Sequence, residues 1–146
     1  MNVKQARCFM VTEPGGTKQF YLEGPDDVMD LLTNELHLDS IPVEQFYALY
    51  LNVKNKVTAY ELISQGNLSC ALVSPTAVFR GAVLNNAASF IVAHNHPSGD
   101  PTPSKEDLRV TSQLKTCGEL MGIKLIDHII VGSKNSYTSI KEIGGM

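Results

Sequence analysis

The sequence lacks an apolar run long enough to cross a lipid bilayer, which takes about 20 residues in a helix. Its opening residues, MNVKQARCFMVTEPGG, also lack the apolar stretch and small-residue cleavage site that mark a secretory signal. These two absences predict a cytoplasmic protein with no membrane partner.

Cysteine is scarce, and the spacing of the cysteines in the sequence does not suggest pairs. Cys8, Cys70 and Cys117 are odd in number, lie far apart and show no C-x-x-C spacing. In a cytoplasmic protein this predicts three reduced, mostly buried thiols and no disulfide framework.

A surplus of basic residues is also missing, because 12 Lys and Arg stand against 15 Asp and Glu, for a net charge of -3 and a pI near 5.7. Proteins that grip nucleic acid through its phosphates normally present a surplus of Lys and Arg. Direct nucleic-acid binding by this chain is therefore the weaker hypothesis.

No repeat, low-complexity tract or linker divides the 146 residues, and a hydrophobic content of 43% is enough to fill one core. Helices and strands alternate along the chain, which predicts one α/β domain with a mixed sheet flanked by helices. The expected strands are 6–12, 18–22, 44–52, 57–64, 87–93, 124–131 and 137–140. The expected helices begin at Pro25, at Pro75 after an N-cap Ser74, and near Ser104, the last ending before Gly122.

The apolar strand expected at 87–93 runs directly into His94-Asn95-His96. Because side chains alternate along a strand, the imidazoles of His94 and His96 are expected to project the same way. An isolated H-x-H is more often a pair of ordinary polar residues, so the neighbouring sequence has to decide between the two interpretations.

The helix expected to begin at Ser104 places Asp107 at the head of its inward stripe. The rest of that stripe, at i, i+3, i+4 spacing, is Val110, Thr111, Leu114, Gly118 and Met121. An inward carboxylate is costly unless it is paired, hydrogen-bonded or bound to a metal. Ser104-x-x-Asp107 also resembles a capping box, although Glu and Gln are the usual third-position residues of that motif. The two interpretations are compatible, and both stay open.

Catalytic zinc sites commonly use three protein ligands and leave the fourth tetrahedral position to water. His94, His96 and Asp107 supply such a set, which predicts one Zn²⁺ per chain that activates water for hydrolysis. The ligand types alone leave iron open, since two His and one carboxylate also bind non-haem iron.

The spacing His94-x-His96, seven residues, Ser104, two residues, Asp107 resembles the JAMM motif of the JAB/MPN metallopeptidase superfamily. The longer string HNHPSGDPTPSKED, followed by DHIIVG from Asp127, is similar to the RadC-like proteins of that superfamily. The resemblance covers residues 42–144 and implies a cytidine-deaminase-like fold with zinc beside the central sheet.

The resemblance also implies roles that the residues alone do not reveal. Glu44, at the start of a strand, matches the family's acid/base glutamate, and Ser104 matches a serine thought to help hold the developing oxyanion. Asp127 and His128 match a second signature of no settled role, and for His128 we expect a hydrogen-bonded structural histidine inside a strand. His37 is expected to be an exposed helix residue.

Two departures from the family pattern matter. Many RadC-like proteins carry an N-terminal helix-hairpin-helix module associated with DNA, whereas the residues before Glu44 predict strands and one helix, so we expect no such module here. An arginine often follows the proline that opens the family's middle helix. Here Thr76 follows Pro75, which puts the substrate contact attributed to that arginine in doubt.

The expected function is that of a metallopeptidase or isopeptidase in which Glu44 activates a zinc-bound water to attack an amide carbonyl of a peptide or protein. The alternative is a RadC-like interaction module linked to DNA repair or mobile elements, with a structural or vestigial metal site. Zinc deaminases share the implied fold but read H-x-E with P-C-x-x-C, which this sequence lacks. The letters His94-Asn95-His96 imitate only the name of the HNH nucleases.

Overall fold

The computed structural model of the protein describes residues 19–66 and 73–146. The expected strand 6–12, the turn that follows it, Cys8 and Cys70 lie outside those residues. The described part of the expected strand 18–22 forms a single antiparallel bridge, from Tyr21 to Lys56, in place of a strand. Cys117 is a free, half-buried thiol.

The first helix, α1 (Pro25–Asp30), continues as a π-helical turn (Leu31–Glu35). Pro25 occupies the first turn, where its missing N–H removes no hydrogen bond, as the sequence predicts. The side chains that this segment buries are Val28, Met29, Leu31 and Leu32, with Leu36 partly buried.

Within residues 19–66 and 73–146, the sheet has five strands in the order β2-β1-β3-β4-β5. The strands are β1 (Gln45–Leu51), β2 (Val57–Gln65), β3 (Ser89–Asn95), β4 (Lys124–Val131) and β5 (Tyr137–Ser139). β3 and β4 pair in parallel and every other neighbouring pair is antiparallel, so the sheet is mixed. The predicted α/β fold class is confirmed.

Two further helices begin and end where the sequence predicts. α2 (Pro75–Leu84) follows N-cap Ser74, and α3 (Lys105–Met121) follows N-cap Ser104. α3 ends at Gly122 with φ 70°, a left-handed conformation that glycine adopts without steric cost.

Each face of the sheet packs against different helices. α1 and its π-helical turn cover one face, and α2 with α3 cover the other. Along β3, Ile91 and Ala93 face α1, whereas Phe90 and Val92 face α2 and α3. The alternation of side chains along a strand therefore directs His94 towards α3 and Asn95 towards the opposite face.

Further details differ from the sequence expectations, besides shifts of one residue at strand ends. β3 starts and ends two residues later than expected, so His94 lies inside the strand. Met121, expected in the buried stripe of α3, is 51% exposed because it lies in the last turn of the helix. His37 is exposed as expected but follows the helical segment, with φ 53°. Among the described residues, no helix has the length and apolarity needed to cross a membrane.

Candidate metal centre

The end of β3 brings two imidazoles together. The Nε2 atoms of His94 and His96 lie 3.0 Å apart. His94 is fully buried, whereas the His96 side chain is 14% exposed, so the pair spans the boundary between interior and solvent. Phe46 stacks against the His94 ring at a centroid distance of 5.8 Å, so an apolar ring covers one face of that imidazole.

The first turn of α3 adds a carboxylate. Asp107 Oδ1 lies 3.1 Å from His94 Nε2, and Asp107 Oδ2 lies 3.2 Å from His96 Nε2. The same residue completes the capping box: Oδ2 accepts from the Ser104 backbone N–H at 2.8 Å, and Ser104 Oγ accepts from the Asp107 N–H at 3.1 Å. The box fixes the direction of the carboxylate, which confirms the capping interpretation, and the same carboxylate faces the two imidazoles as a metal ligand would.

Glu44 reaches the same place from the residue before β1. One oxygen of its carboxylate and one nitrogen of each of His94 and His96 all lie within 4.8 Å of one another. The Glu44 carbonyl accepts from the Gly66 N–H at 2.8 Å, which ties this position to the end of β2. The structure therefore gathers Glu44, His94, His96 and Asp107 in one place, with Ser104 hydrogen-bonded to the last.

A buried chain of hydrogen bonds sets the tautomer of His94. Thr111 Oγ1 donates to the Asp107 carbonyl at 2.7 Å, so it accepts from His128 Nδ1, also at 2.7 Å. A neutral His128 then offers a lone pair on Nε2, which accepts from His94 Nδ1 at 2.8 Å. His94 is left with its Nε2 lone pair directed at His96 and Asp107.

A backbone carbonyl sets His96 in the same way. His96 Nδ1 lies 2.8 Å from the Asp100 carbonyl oxygen, which can only accept, so Nδ1 carries the proton. The neutral His96 ring therefore also directs an Nε2 lone pair inwards.

These donors fit a divalent cation. Two imidazole lone pairs and a carboxylate converge at separations of 3.0–3.2 Å, an arrangement of acceptors that repel one another unless a positive charge lies among them. Tetrahedral zinc with ligand bonds of about 2.0–2.1 Å spaces its ligand atoms about 3.3–3.4 Å apart. The distances from the two nitrogens to Asp107, each to a different carboxylate oxygen, are close to that spacing.

The protonation equilibria at the centre are strongly shifted. Burial alone raises the pKa of the Asp107 carboxyl, but His94 and His96, which can donate to the carboxylate through Nε2 when their rings are protonated, outweigh burial and hold the pKa far below its ordinary range. The hydrogen bond that a protonated His96 donates to Asp107 raises the pKa of His96 against the opposing effect of burial. Burial lowers the pKa of His128 well below its ordinary value, which keeps that ring neutral.

A cleft of about 320 Å³ opens beside Glu44. Its lining consists of Pro42, Val43, Glu44, Gly66 and Pro97. Glu44 thus borders both the imidazole pair and this cleft.

Several residues at the centre escaped the sequence analysis. Thr111 lies one helical turn after Asp107, a spacing that signals a shared face but not a hydrogen bond to a distant strand. Asn95 and Asp100 were likewise given no role, since their contacts join segments that are far apart or folded back by a loop. His128 is the buried, hydrogen-bonded strand residue that was expected.

The fold and these side chains define an α/β domain with a candidate centre for one divalent metal ion at a strand end. The chain belongs to the RadC-like JAB domain family, whose model matches residues 22–145. The resemblance inferred from the HNHPSGDPTPSKED string is thereby confirmed.

Curated relatives agree with this assignment. UPF0758 protein TTE0897 of Caldanaerobacter subterraneus is 43% identical over 142 residues, which cover 97% of this chain and 59% of that protein. UPF0758 protein YsxA of Bacillus subtilis is 43% identical over 127 residues, covering 87% and 54%, and a UPF0758 protein of Clostridium perfringens is 45% identical over 124 residues, covering 85% and 53%. The chain spans little more than half the length of these relatives, and their names state no activity.

Proposed function

We propose that this domain is a zinc-dependent hydrolase of the JAMM type that cleaves an amide or isopeptide bond in a peptide or protein. The observation that carries the proposal is the cluster formed by the Nε2 atoms of His94 and His96 and the two carboxylate oxygens of Asp107, with the Glu44 carboxylate beside it. Family membership supports it, because the superfamily includes hydrolases built on this motif.

In this proposal His94, His96 and Asp107 hold the metal ion. A bound zinc ion supplies Lewis acidity, which lowers the pKa of a coordinated water to about 7 and polarises a carbonyl oxygen. The protein's contribution is to fix the three donor atoms in advance: the chain through Thr111 and His128 orients His94, and the capping box orients Asp107.

Glu44 and Ser104 carry the remaining steps. The Glu44 carboxylate takes a proton from the attacking water and later delivers it to the departing amine. Ser104 accepts from the Asp107 N–H through its Oγ lone pair, so its own O–H proton remains to donate to the oxyanion that forms at the carbonyl. The cleft bordered by Pro42 and Pro97 receives the substrate beside Glu44.

One Glu44 oxygen lies within 4.8 Å of a nitrogen of both His94 and His96, which is close enough for Glu44 itself to be a ligand. If its carboxylate were a ligand, it would occupy the position that water needs, and the hydrolytic proposal would fail. The two roles differ in what they predict for Glu44→Gln: metal binding is retained if Glu44 is the proton-transfer group and lost if Glu44 is a ligand.

The decisive experiment compares the wild-type protein with Glu44→Gln. We expect about one zinc per chain in both proteins by elemental analysis, since Gln keeps the shape of Glu and Glu44 is not a ligand in the proposal. Hydrolysis of a pool of internally quenched peptides of mixed sequence is expected for the wild type and to be lost in the variant. Asp107→Asn serves as the ligand control and is expected to lose zinc.

Loss of zinc in Glu44→Gln would identify Glu44 as a ligand and overturn the assignment. Peptide hydrolysis that survives Glu44→Gln at full rate would overturn it as well. An inert wild-type protein that binds DNA tightly and in a salt-sensitive manner would favour the interaction module linked to DNA repair.

A further inference from the structure

Asn95 lies between the two imidazoles in sequence but faces the other side of the sheet. The residue is 2% exposed, and its side chain reaches the irregular segment that precedes β1. A buried amide needs partners for two donors and an acceptor, so its contacts reveal what the position is built to hold.

All of those partners belong to the backbone around Glu44. Asn95 Nδ2 donates to the carbonyls of Ile41 and Val43, each at 3.0 Å, and Oδ1 accepts from the Gln45 N–H at 2.8 Å. Only one orientation of the amide satisfies all three contacts, since carbonyls accept and an N–H donates.

The bonds hold Glu44 on both sides. Val43 and Gln45 are its immediate neighbours, and the Glu44 carbonyl itself accepts from the Gly66 N–H at 2.8 Å. The segment before Glu44 is neither helix nor strand, so these side-chain contacts take the place of ladder hydrogen bonds there.

We propose that Asn95 is a positioning residue that holds Glu44 in register with His94 and His96. The inference rests on the proposed function, in which Glu44 is the proton-transfer group. Because Asn95 is bonded covalently to both histidines, the same three residues place the two imidazoles on one face of the sheet and anchor the backbone of Glu44 from the other. A displacement of about 1 Å at a reacting group can cost about 10² in rate, which is the reason for a rigid link.

The test uses Asn95→Leu, which keeps the size and removes all three bonds, and Asn95→Ala as a second variant should Leu not fold. Asn52→Ala is the matched control, because Asn52 Oδ1 also accepts from two backbone N–H groups, those of Lys54 and Lys56, in the β1–β2 turn away from the centre. Global stability of each variant is followed by urea unfolding.

Two readouts are independent of catalysis. Amide hydrogen exchange at Gln45 is expected to accelerate on the order of tenfold beyond any global change in either Asn95 variant, the effect of losing one hydrogen bond. In protein loaded with Co²⁺, the paramagnetic shift of the Glu44 amide reports its position relative to the metal. That shift is expected to change in the Asn95 variants and to stay unchanged in Asn52→Ala, with about one Co²⁺ bound in all.

On the quenched-peptide pool, kcat is expected to fall about 10² in the Asn95 variants and KM to change little. An unchanged Gln45 exchange rate, or an unchanged Glu44 shift, in both Asn95 variants would overturn the positioning role. A Glu44→Gln protein of undiminished activity, or a wild type that binds no Co²⁺, would instead overturn the proposed function on which the inference rests.

Discussion

Thr111 connects the helix that carries Asp107 to the buried His128 through hydrogen bonds. Its hydroxyl donates to the Asp107 carbonyl and accepts from His128, so a single oxygen decides which nitrogen of His128 carries the proton. Without that acceptor, His128 can place its proton on Nε2 and oppose the Nδ1–H of His94. The Nε2 lone pair of His94, the proposed metal ligand, is then no longer fixed in advance.

We therefore expect Thr111→Val to weaken zinc binding by about 10- to 100-fold, the range typical when a ligand loses its outer hydrogen-bond partner. Competition with a chromophoric chelator measures the affinity. Thr33→Val is the control, because Thr33 Oγ1 also donates to the carbonyl four residues earlier, Met29 at 2.8 Å, but in the π-helical turn on the opposite face. Equal affinities for both variants would show that the chain of hydrogen bonds does not tune His94.

Asp127 and His128, the two residues of the second family signature, have different roles in the structure. The Asp127 carboxylate accepts from the His128 N–H at 2.7 Å, the Ser139 hydroxyl at 2.6 Å and the Lys141 N–H at 3.1 Å. These contacts tie β4 to β5 and the turn after it. Asp127 is thus a structural link within the sheet, whereas His128 extends the hydrogen bonds of the centre.

At the scale of elements, α3 combines two functions in its first turn. The Ser104 hydroxyl accepts from the Asp107 N–H, and the Asp107 carboxylate accepts from the Ser104 N–H. These two hydrogen bonds cap the helix and stabilise it. The proposed oxyanion contact uses the Ser104 hydroxyl proton, which the cap does not require. Cap and catalysis can therefore be separated by substitution.

Ser104→Gly is expected to lower stability by only a few tenths of a kcal/mol, because glycine is a tolerated N-cap, and to lower peptide hydrolysis by roughly 10² to 10³. Ser104→Ala is expected to cost about 1 kcal/mol as well as the same activity. Urea unfolding and peptide assays provide the two measurements. Ser74→Gly, at an N-cap whose side chain makes no capping bond, is the control. Activity that follows stability across the variants would leave Ser104 with a capping role alone.

The elements differ in how well the sequence defines them. β4 has the predicted bounds, and α3 has the predicted cap and left-handed end, because local signals mark both. β3 is displaced by two residues, since Ala87 and Ala88 are as apolar as the strand and yet belong to the turn after α2, where the Ala88 N–H donates to Leu51. Composition alone does not mark that boundary.

The whole molecule explains why the site was only partly predictable. His94, His96, Ser104 and Asp107 are close in sequence, so their spacing can be read directly. Glu44 lies immediately before β1, about 50 residues earlier, and was found by family resemblance, not by pattern. The partners that hold it lie at still larger separations, since Asn95 bonds to Ile41 across 54 positions. Such contacts arise from the pairing of β1 with β3, which no local signal encodes.

Zinc is expected to stabilise the whole domain, because its ligands come from β3 and α3 and the unfolded chain does not hold them together. At a free zinc concentration of 100 times Kd the gain is about 2.7 kcal/mol, which corresponds to a rise in Tm of roughly 5–11 °C for a domain of this size. Thermal unfolding with EDTA and with increasing zinc measures the effect.

Asp107→Asn, which loses a charged ligand, is the control for that titration and is expected to show little response to zinc.

The stabilisation by zinc should also become smaller in acid. In the metal-free fold, the hydrogen bond that protonated His96 donates to Asp107 raises the pKa of His96. Protonation of this ring therefore stabilises the metal-free fold at pH values below the ordinary imidazole pKa, and this stabilisation is lost as the pH rises through the raised pKa. Zinc needs the deprotonated ring, and it competes with this proton as pH falls. A zinc-dependent Tm that is equally large in Asp107→Asn, or that grows in acid, would mean that the ion binds elsewhere.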